Sequence, residues 1–213
     1  MQDPKRFWND AAETKEFTTP LRADLFTRHV TDRKAEILDV GCGYGRILAE
    51  LFRLGYTRLR GIDLSETLLE RGRRLHPELT LELQQNRTID FPDSHFDAVL
   101  LCAVLTCIPD DADQNFLRGE ILRVLRPGGI LYVNDFLLNT DPRNRARYAA
   151  ALPVYGTYGV FELAEEGAVL RHHDPGYVRE FLAPFELLEY ETMLCPTMNG
   201  HTSNAYTFLG RKK

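Results

Sequence analysis

The chain has 213 residues, of which 44% are hydrophobic and 27% are charged, proportions that are typical of an ordinary soluble globular protein. Its net charge of -5 argues against a nucleic-acid partner, because affinity for nucleic acid depends largely on clustered Lys and Arg. No stretch approaches the roughly 18 to 20 apolar residues of a membrane helix, residues 1–10 lack the pattern of a signal peptide, and the four cysteines have no zinc-binding spacing. We therefore expect a cytoplasmic protein without a membrane partner or a metal, and its oligomeric state, monomer or homodimer, stays open.

The predicted elements start with a helix over residues 21–30, with Pro20 in its first turn and Thr19 as its cap. Apolar runs then predict five strands that alternate with helices. The strands are 36–40, 59–64, 79–84, 96–102 and 130–136, and the helices are 46–54, 65–75 and 112–125. This alternation is typical of an α/β protein with a Rossmann-like, doubly wound parallel sheet.

The pattern changes after the fifth strand. A short helix is predicted from Asp141, followed by a small β-hairpin of strands 160–163 and 168–173 around the turn 164–167. A helix from Asp174 to Leu182 and strands over 185–194 and 204–210 complete the chain. We interpret 1–213 as a single domain, with an N-terminal helical segment over 1–33 and an insertion over 138–174. Because ligands bind at the carboxyl edge of a parallel sheet, we expect this insertion to cover a substrate site.

The turn after the first strand is rich in glycine. Gly41, Gly43 and Gly45 follow Asp39 at two-residue spacing, and a turn without Cβ atoms lets the backbone approach a ligand closely. A dinucleotide-binding turn needs GxGxxG, and Arg46 stands where its last glycine would fall. The spacing therefore argues against a bound diphosphate.

A carboxylate ends the second strand. Asp63 lies where an acidic side chain accepts the two ribose hydroxyls of a bound nucleoside in Rossmann-like proteins. On its own, Asp63 is equally well interpreted as a solvated cap of the next helix. Together with the glycine turn, it indicates a nucleoside site.

Four segments resemble the motifs of class I S-adenosylmethionine-dependent methyltransferases, in the order in which that family has them. Residues 37–45 resemble its first motif, 61–65 its acidic second motif, 91–99 the lead into the fourth strand, and 122–129 the lead into the fifth. The resemblance implies a seven-stranded sheet whose last strand is antiparallel. It also implies S-adenosyl-L-methionine as the cofactor and methyl transfer to an acceptor as the activity.

The resemblance assigns the cofactor site residue by residue. The glycines would lie along the methionine part, Asp63 would bind the ribose, Leu64 would pack on the adenine, and Cys102 would border the sulfonium. Gln85 departs from the family, which has Asp in many members where Gln85 stands, but its carbonyl accepts the same hydrogen bond from an adenine amino group. The full set of expected cofactor residues is Asp39, Gly41, Cys42, Gly43, Gly45, Asp63, Leu64, Gln85, Asn86 and Cys102.

The acceptor is predicted to be a small organic molecule with an O, N or S nucleophile. The segment after the fourth strand lacks the Asn/Asp-Pro-Pro-aromatic motif with which family members methylate base amines. The main catalytic candidates are His172, His173 and Tyr158, and since adjacent residues of a strand face opposite ways, at most one of the two histidines is expected to enter the site. Further candidates are Tyr155, Glu162 and His201, and the arginines 143, 145 and 147 are interpreted either as a surface for an anionic substrate or as a solvated helix face.

Two alternatives remain. A nicotinamide-dependent oxidoreductase has the same sheet but a different glycine spacing. A methyltransferase-like binding module keeps the cofactor site and lacks turnover. The complete glycine turn and Asp63 favour the enzyme over the module.

Overall fold

The computed structural model describes residues 4–12, 15–163 and 167–213. Its strands are β1 Glu36–Val40, β2 Arg58–Asp63, β3 Thr80–Leu83, β4 Phe96–Cys102, β5 Leu125–Phe136, β6 Val160–Leu163, β7 Ala168–Arg171, β8 Phe185–Pro196 and β9 Thr202–Lys212. Its helices are α1 Pro4–Ala11, α2 Ala23–His29, α3 Arg46–Arg53, α4 Glu66–Leu75, α5 Asp111–Val124, α6 Pro142–Tyr155 and α7 Pro175–Leu182, with a 3-10 turn at Leu105–Cys107.

Seven strands form one sheet in the order β3-β2-β1-β4-β5-β9-β8. Strands β1 to β5 are parallel, whereas β9 is antiparallel to both of its neighbours, β5 and β8. Helices cover both faces of the sheet, so the predicted Rossmann-like doubly wound fold with an antiparallel last strand is confirmed. The order reverses between β1 and β4, which is where such sheets bind ligands.

Two apolar layers hold the sheet between its helices. Alternate residues of β1 point to opposite layers, with Ile37 in one and Leu38 in the other, and both are completely buried. The first layer includes Phe26 of α2 and Leu48 of α3, and the second includes residues of α5 and α7 such as Ile121. Burial on both faces explains the continuous apolar runs of the central strands.

Several predicted boundaries were wrong, among them the start of α2 and the start of β5. Helix α2 starts at Ala23, and its cap position is Arg22, because the backbone N–H of Arg22 donates to the Tyr132 hydroxyl at 3.0 Å. The carbonyl of Thr19 accepts from Arg46 instead of closing a helical turn. Strand β5 starts at Leu125, which pairs with Phe96 before the register shifts, so the predicted turn at 127–129 lies inside the strand.

The insertion consists of α6 and the hairpin β6–β7. Helix α6 is 14 residues long and is capped by the Asp141 carboxylate, so the helix predicted there is longer than expected. Strands β6 and β7 pair antiparallel as predicted, with Val160 opposite Arg171. Strand β7 ends at Arg171 and not at residue 173, because the N–H of His173 donates to the carbonyl of Phe136. Residues 164–166 of the predicted turn lie outside the described residues.

A glycine fixes the packing within the insertion. The φ of Gly159 is +105°, and a Cβ there would lie 2.3 Å from the carbonyl oxygen of His172. We expect Gly159→Ala to lower the free energy of unfolding by at least about 3 kcal/mol, measured by urea denaturation. Gly156→Ala is the control, since Gly156 has a φ of +70° but open space around it, and it should cost only about 1 kcal/mol. Equal losses for the two variants would contradict this packing.

Within residues 4–12, 15–163 and 167–213, none of the helices has the length and apolar character needed to span a bilayer.

Candidate functional site

A cavity of about 1180 Å³ opens at the carboxyl ends of β1 and β4. Cavities for small ligands usually have about 300–1,000 Å³, so this one has room for more than one small molecule. It is bordered by the turns after β1, β2 and β4, by the insertion, by residues 15 and 17–19, and by the β8–β9 turn. The reversal of strand order places these segments around one space.

The glycine turn has a left-handed backbone at each glycine. The φ angles of Gly41, Gly43 and Gly45 are +69°, +56° and +78°, a region that side chains with a Cβ rarely adopt. Gly41 and Cys42 border the cavity. Gly43 lies under the ring of Phe17, and Gly45 begins α3 against Leu81, so these two glycines set the path of the turn.

Asp63 ties the turn to the end of β2. It borders the cavity and is 8% exposed, and its two carboxylate oxygens accept from the backbone N–H groups of Gly43 at 2.8 Å and Ser65 at 2.9 Å. Burial raises its pKa above the ordinary value, and these backbone donors oppose that shift. The carboxylate thus lies beside the turn with both oxygens held in place.

Asp39 is the second buried carboxylate of the site. It borders the cavity, is 1% exposed, and its Oδ1 has no hydrogen-bond partner. Burial raises its pKa to about 8, the nearby Arg46 opposes this shift, and Asp63 adds to it. A buried acceptor without a partner is costly, so a donor supplied by a ligand would stabilise the turn.

The far end of the cavity is bordered by Leu64, Gln85 and Asn86. The side chain of Leu64 is 43% exposed, which is unusual for a leucine next to a buried strand end, and it offers an apolar surface to a flat ring. Phe116 borders the same cavity, beneath the guanidinium of Arg87 at 4.4 Å. All three predicted residues therefore lie at the cavity.

The segment after β4 supplies the middle of the cavity wall. Cys102, Ala103 and Cys107 border the cavity, and Ala103 has a left-handed φ of +57°. Burial raises the pKa of the Cys102 and Cys107 thiols well above the ordinary value, so both are neutral at physiological pH. The Asp135 carboxylate accepts from the N–H of Thr106 and so holds this segment from below.

His172 of the insertion borders the cavity, and its hydrogen bonds place the ring proton on Nε2, so that this atom is a donor. The Oδ1 of Asn139 accepts from the N–H of Asn204 at 2.8 Å, so its amide nitrogen faces His172 Nδ1, at 3.0 Å. The hydroxyl of Tyr148 lies 2.5 Å from the same Nδ1. Burial lowers the pKa of His172 to about 3, so the ring is neutral, Nδ1 accepts, and Nε2 carries the proton.

His173 points away from the cavity, as expected for a neighbour of His172 in an extended segment. Its Nδ1 lies 3.2 Å from the carbonyl of Phe136, and its Nε2 accepts from the Gln114 amide at 2.9 Å. Tyr158 also lies outside the cavity, and its ring packs edge-on against Tyr148. Of the three main catalytic candidates, the cavity includes only His172, although His201 and Glu162 also border it.

The burial of His173 predicts a dependence of stability on pH. Burial lowers its pKa to about 3, whereas the unfolded chain binds a proton near pH 6.5, so its contribution to stability is present above pH 6.5 and is lost as the pH falls toward 3. Urea unfolding of wild type and His173→Gln should show a difference in unfolding free energy that is about 2 kcal/mol smaller at pH 5 than at pH 7.5. A difference that does not change with pH would mean that His173 is not held neutral.

Apart from His201, the cavity residues of two segments were not predicted from the sequence. Phe17 and Thr18 come from the N-terminal segment, where the hydroxyl of Thr18 donates to the carbonyl of Pro196. Residues 197–199 and 201–203 of the β8–β9 turn close the same side. The turn was predictable in principle, because β9 is antiparallel to β5 and must therefore begin at the carboxyl edge of the sheet.

Comparison with solved structures shows the same fold elsewhere. A structure of an S-adenosylmethionine-dependent methyltransferase from Methanosarcina mazei superposes with a TM-score of 0.82 and 24% sequence identity, over 88% of this chain and 96% of that chain.

Comparison of sequences shows the family. Residues 38–133 match the family model described as a methyltransferase domain. A ubiquinone biosynthesis O-methyltransferase of Aromatoleum aromaticum is 31% identical over 87% of this chain and 74% of its own length. A 27-O-demethylrifamycin SV methyltransferase of Amycolatopsis mediterranei is 29% identical over 64% of this chain, which spans about half of that relative, 52%. The chain therefore belongs to the S-adenosylmethionine-dependent methyltransferases.

Proposed function

We propose that this chain transfers a methyl group from S-adenosylmethionine to a small organic acceptor at an O, N or S atom. The observation that carries the proposal is that one continuous cavity of about 1180 Å³ joins the glycine turn and Asp63 to the insertion. The names of the two relatives support a small acceptor, since one acts in ubiquinone biosynthesis and the other on a rifamycin.

The residues at the glycine turn fit the family's cofactor, S-adenosyl-L-methionine. Its amino group would donate to the unpartnered Oδ1 of Asp39, and its ribose hydroxyls to Asp63, which already lies beside the turn. Leu64, Gln85 and Asn86 would surround the adenine. When bound, the cofactor supplies a methyl group on a positively charged sulfur, which an acceptor attacks in line.

In this proposal the acceptor is enclosed by the insertion, by residues 15 and 17–19, and by the β8–β9 turn. They exclude water and hold the acceptor close, which is the main contribution that a protein makes to such a displacement. Because the Cys102 and Cys107 thiols are neutral and His172 is a donor, none of these three acts as a base at physiological pH. His172 instead positions an oxygen or nitrogen of the acceptor.

The proposal is tested by incubating the protein with methyl-labelled S-adenosylmethionine and mixtures of small phenols, acids, amines and thiols, and with RNA and protein as controls. We expect label in a small molecule and none in the macromolecules. Tight cofactor binding with no labelled product from any mixture would favour a binding module without turnover. Label in RNA or in protein would contradict the proposed acceptor class.

A further inference from the structure

Two arginines of α6 face the part of the cavity that the insertion covers. Arg143 and Arg147 are one helical turn apart and both border the cavity, whereas Arg145 between them does not. Arg147 is half-buried, and its guanidinium lies 3.4 Å from the ring centroid of Phe161. Arg143 is exposed at the mouth, where it also borders a neighbouring depression of about 400 Å³.

Among the residues that the structure describes, neither guanidinium is paired with an acidic side chain. Among the described residues, no carboxylate oxygen lies within 4.0 Å of Arg143 or Arg147, and the buried Nε of Arg147 has no hydrogen-bond partner. The nearby carboxylate of Asp141 accepts from Asn144, and that of Glu162 accepts from the Tyr155 hydroxyl. By contrast, the buried Arg171 of β7 is paired with Asp111. Arg147 is half-buried, Arg143 is exposed, and neither forms an ion pair with a described carboxylate, an arrangement that favours an anionic ligand.

The groups around the arginines give this ligand a shape. His172 presents its Nε2 proton in the same cavity and so adds a neutral donor. The rings of Phe136 and Phe161 and the side chain of Leu170 form the apolar part of the wall. The described part of this wall therefore offers two guanidinium groups and one neutral N–H donor beside apolar surfaces.

We propose that the methyl acceptor is an organic acid with an apolar body, whose carboxylate is bound by Arg143 and Arg147. The inference rests on the proposed function, because it assigns the acceptor of the same cavity. A guanidinium binds a carboxylate through two parallel N–H bonds. The guanidinium of Arg147 lies over the ring of Phe161, which restricts its movement. The aromatic side chains then pack on the apolar body of the acid.

Calorimetry on protein saturated with S-adenosylhomocysteine tests the proposal without turnover. The probes are benzoate, phenylacetate and cinnamate, each paired with its neutral primary amide. We expect at least one acid to bind at least tenfold more tightly than its amide. Arg147→Gln and Arg143→Gln should each weaken the binding of that acid at least tenfold. Arg147→Lys should weaken its binding less, and Arg145→Gln should leave its affinity unchanged.

The outcomes separate this proposal from the proposed function. Acids and amides that bind equally, acid affinities that survive both glutamine variants, or no acid binding to the saturated protein would overturn the assignment of an acid. S-adenosylhomocysteine is titrated first into every variant, and its affinity should not change. If it does not bind to the wild type, the proposed function fails, and the acid proposal fails with it.

Discussion

Asp63→Ala should weaken the binding of S-adenosylhomocysteine by about 100-fold or more. The two ribose hydroxyls would lose their acceptor, and each hydrogen bond to a charged group is worth about 1.5–3 kcal/mol. The N–H groups of Gly43 and Ser65 would lose the same acceptor, which fixes the turn before the ligand arrives. Isothermal titration calorimetry measures the affinity, and circular dichroism checks the fold.

Asp110→Ala is the matched control for this prediction. Asp110 also accepts from two backbone N–H groups, those of Ala112 and Asp113, at 2.8 and 3.0 Å, and it lies outside the cavity. This variant should lose stability and keep its affinity. A folded Asp63→Ala protein with wild-type affinity would show that the ribose is bound elsewhere.

Gly41→Ala should weaken the binding of S-adenosylhomocysteine by about 30-fold or more. A left-handed backbone costs an alanine about 1–2 kcal/mol, and the new Cβ would lie 2.7 Å from Cγ2 of Val104 across the cleft. Since valine has few side-chain rotamers, the turn itself must shift, and binding would have to restore it. Calorimetry on the folded variant measures the change.

Gly55→Ala controls for backbone strain alone. Gly55 has a φ of +93°, but nothing lies within 4 Å of its added Cβ, and it is far along the chain from the turn. It should lower the unfolding free energy without changing the affinity for the ligand. Similar affinity losses in both variants would mean that Gly41 acts through stability rather than through the shape of the cleft.

The parts of the site that lie at the end of a single strand were predictable from the sequence. Gly41 comes directly after β1, Asp63 and Cys102 are the last residues of β2 and β4, and parallel strands bring their carboxyl ends to one edge. Strand periodicity also predicted that the side chains of His172 and His173 face opposite ways. The two-residue spacing of the glycines was by itself enough to argue against a dinucleotide turn.

The contacts between distant segments were not predictable in the same way. Nothing in the local sequence near Phe17 indicates that its ring covers Gly43. The sequence placed Arg143, Arg145 and Arg147 on one helix, but the direction of that helix relative to the sheet decides which of them reach the cavity. The donor role of His172 depends on Asn139 and Tyr148, which lie 33 and 24 residues away along the chain.

Calorimetric titration of the wild-type protein with S-adenosylhomocysteine and, separately, with NAD tests the central claim most directly. The glycine spacing, the unpartnered Asp39 and the position of Asp63 predict one site per chain for S-adenosylhomocysteine and no binding of NAD at the same concentrations. Binding of NAD without binding of S-adenosylhomocysteine would contradict the account, because the cavity would then hold a dinucleotide.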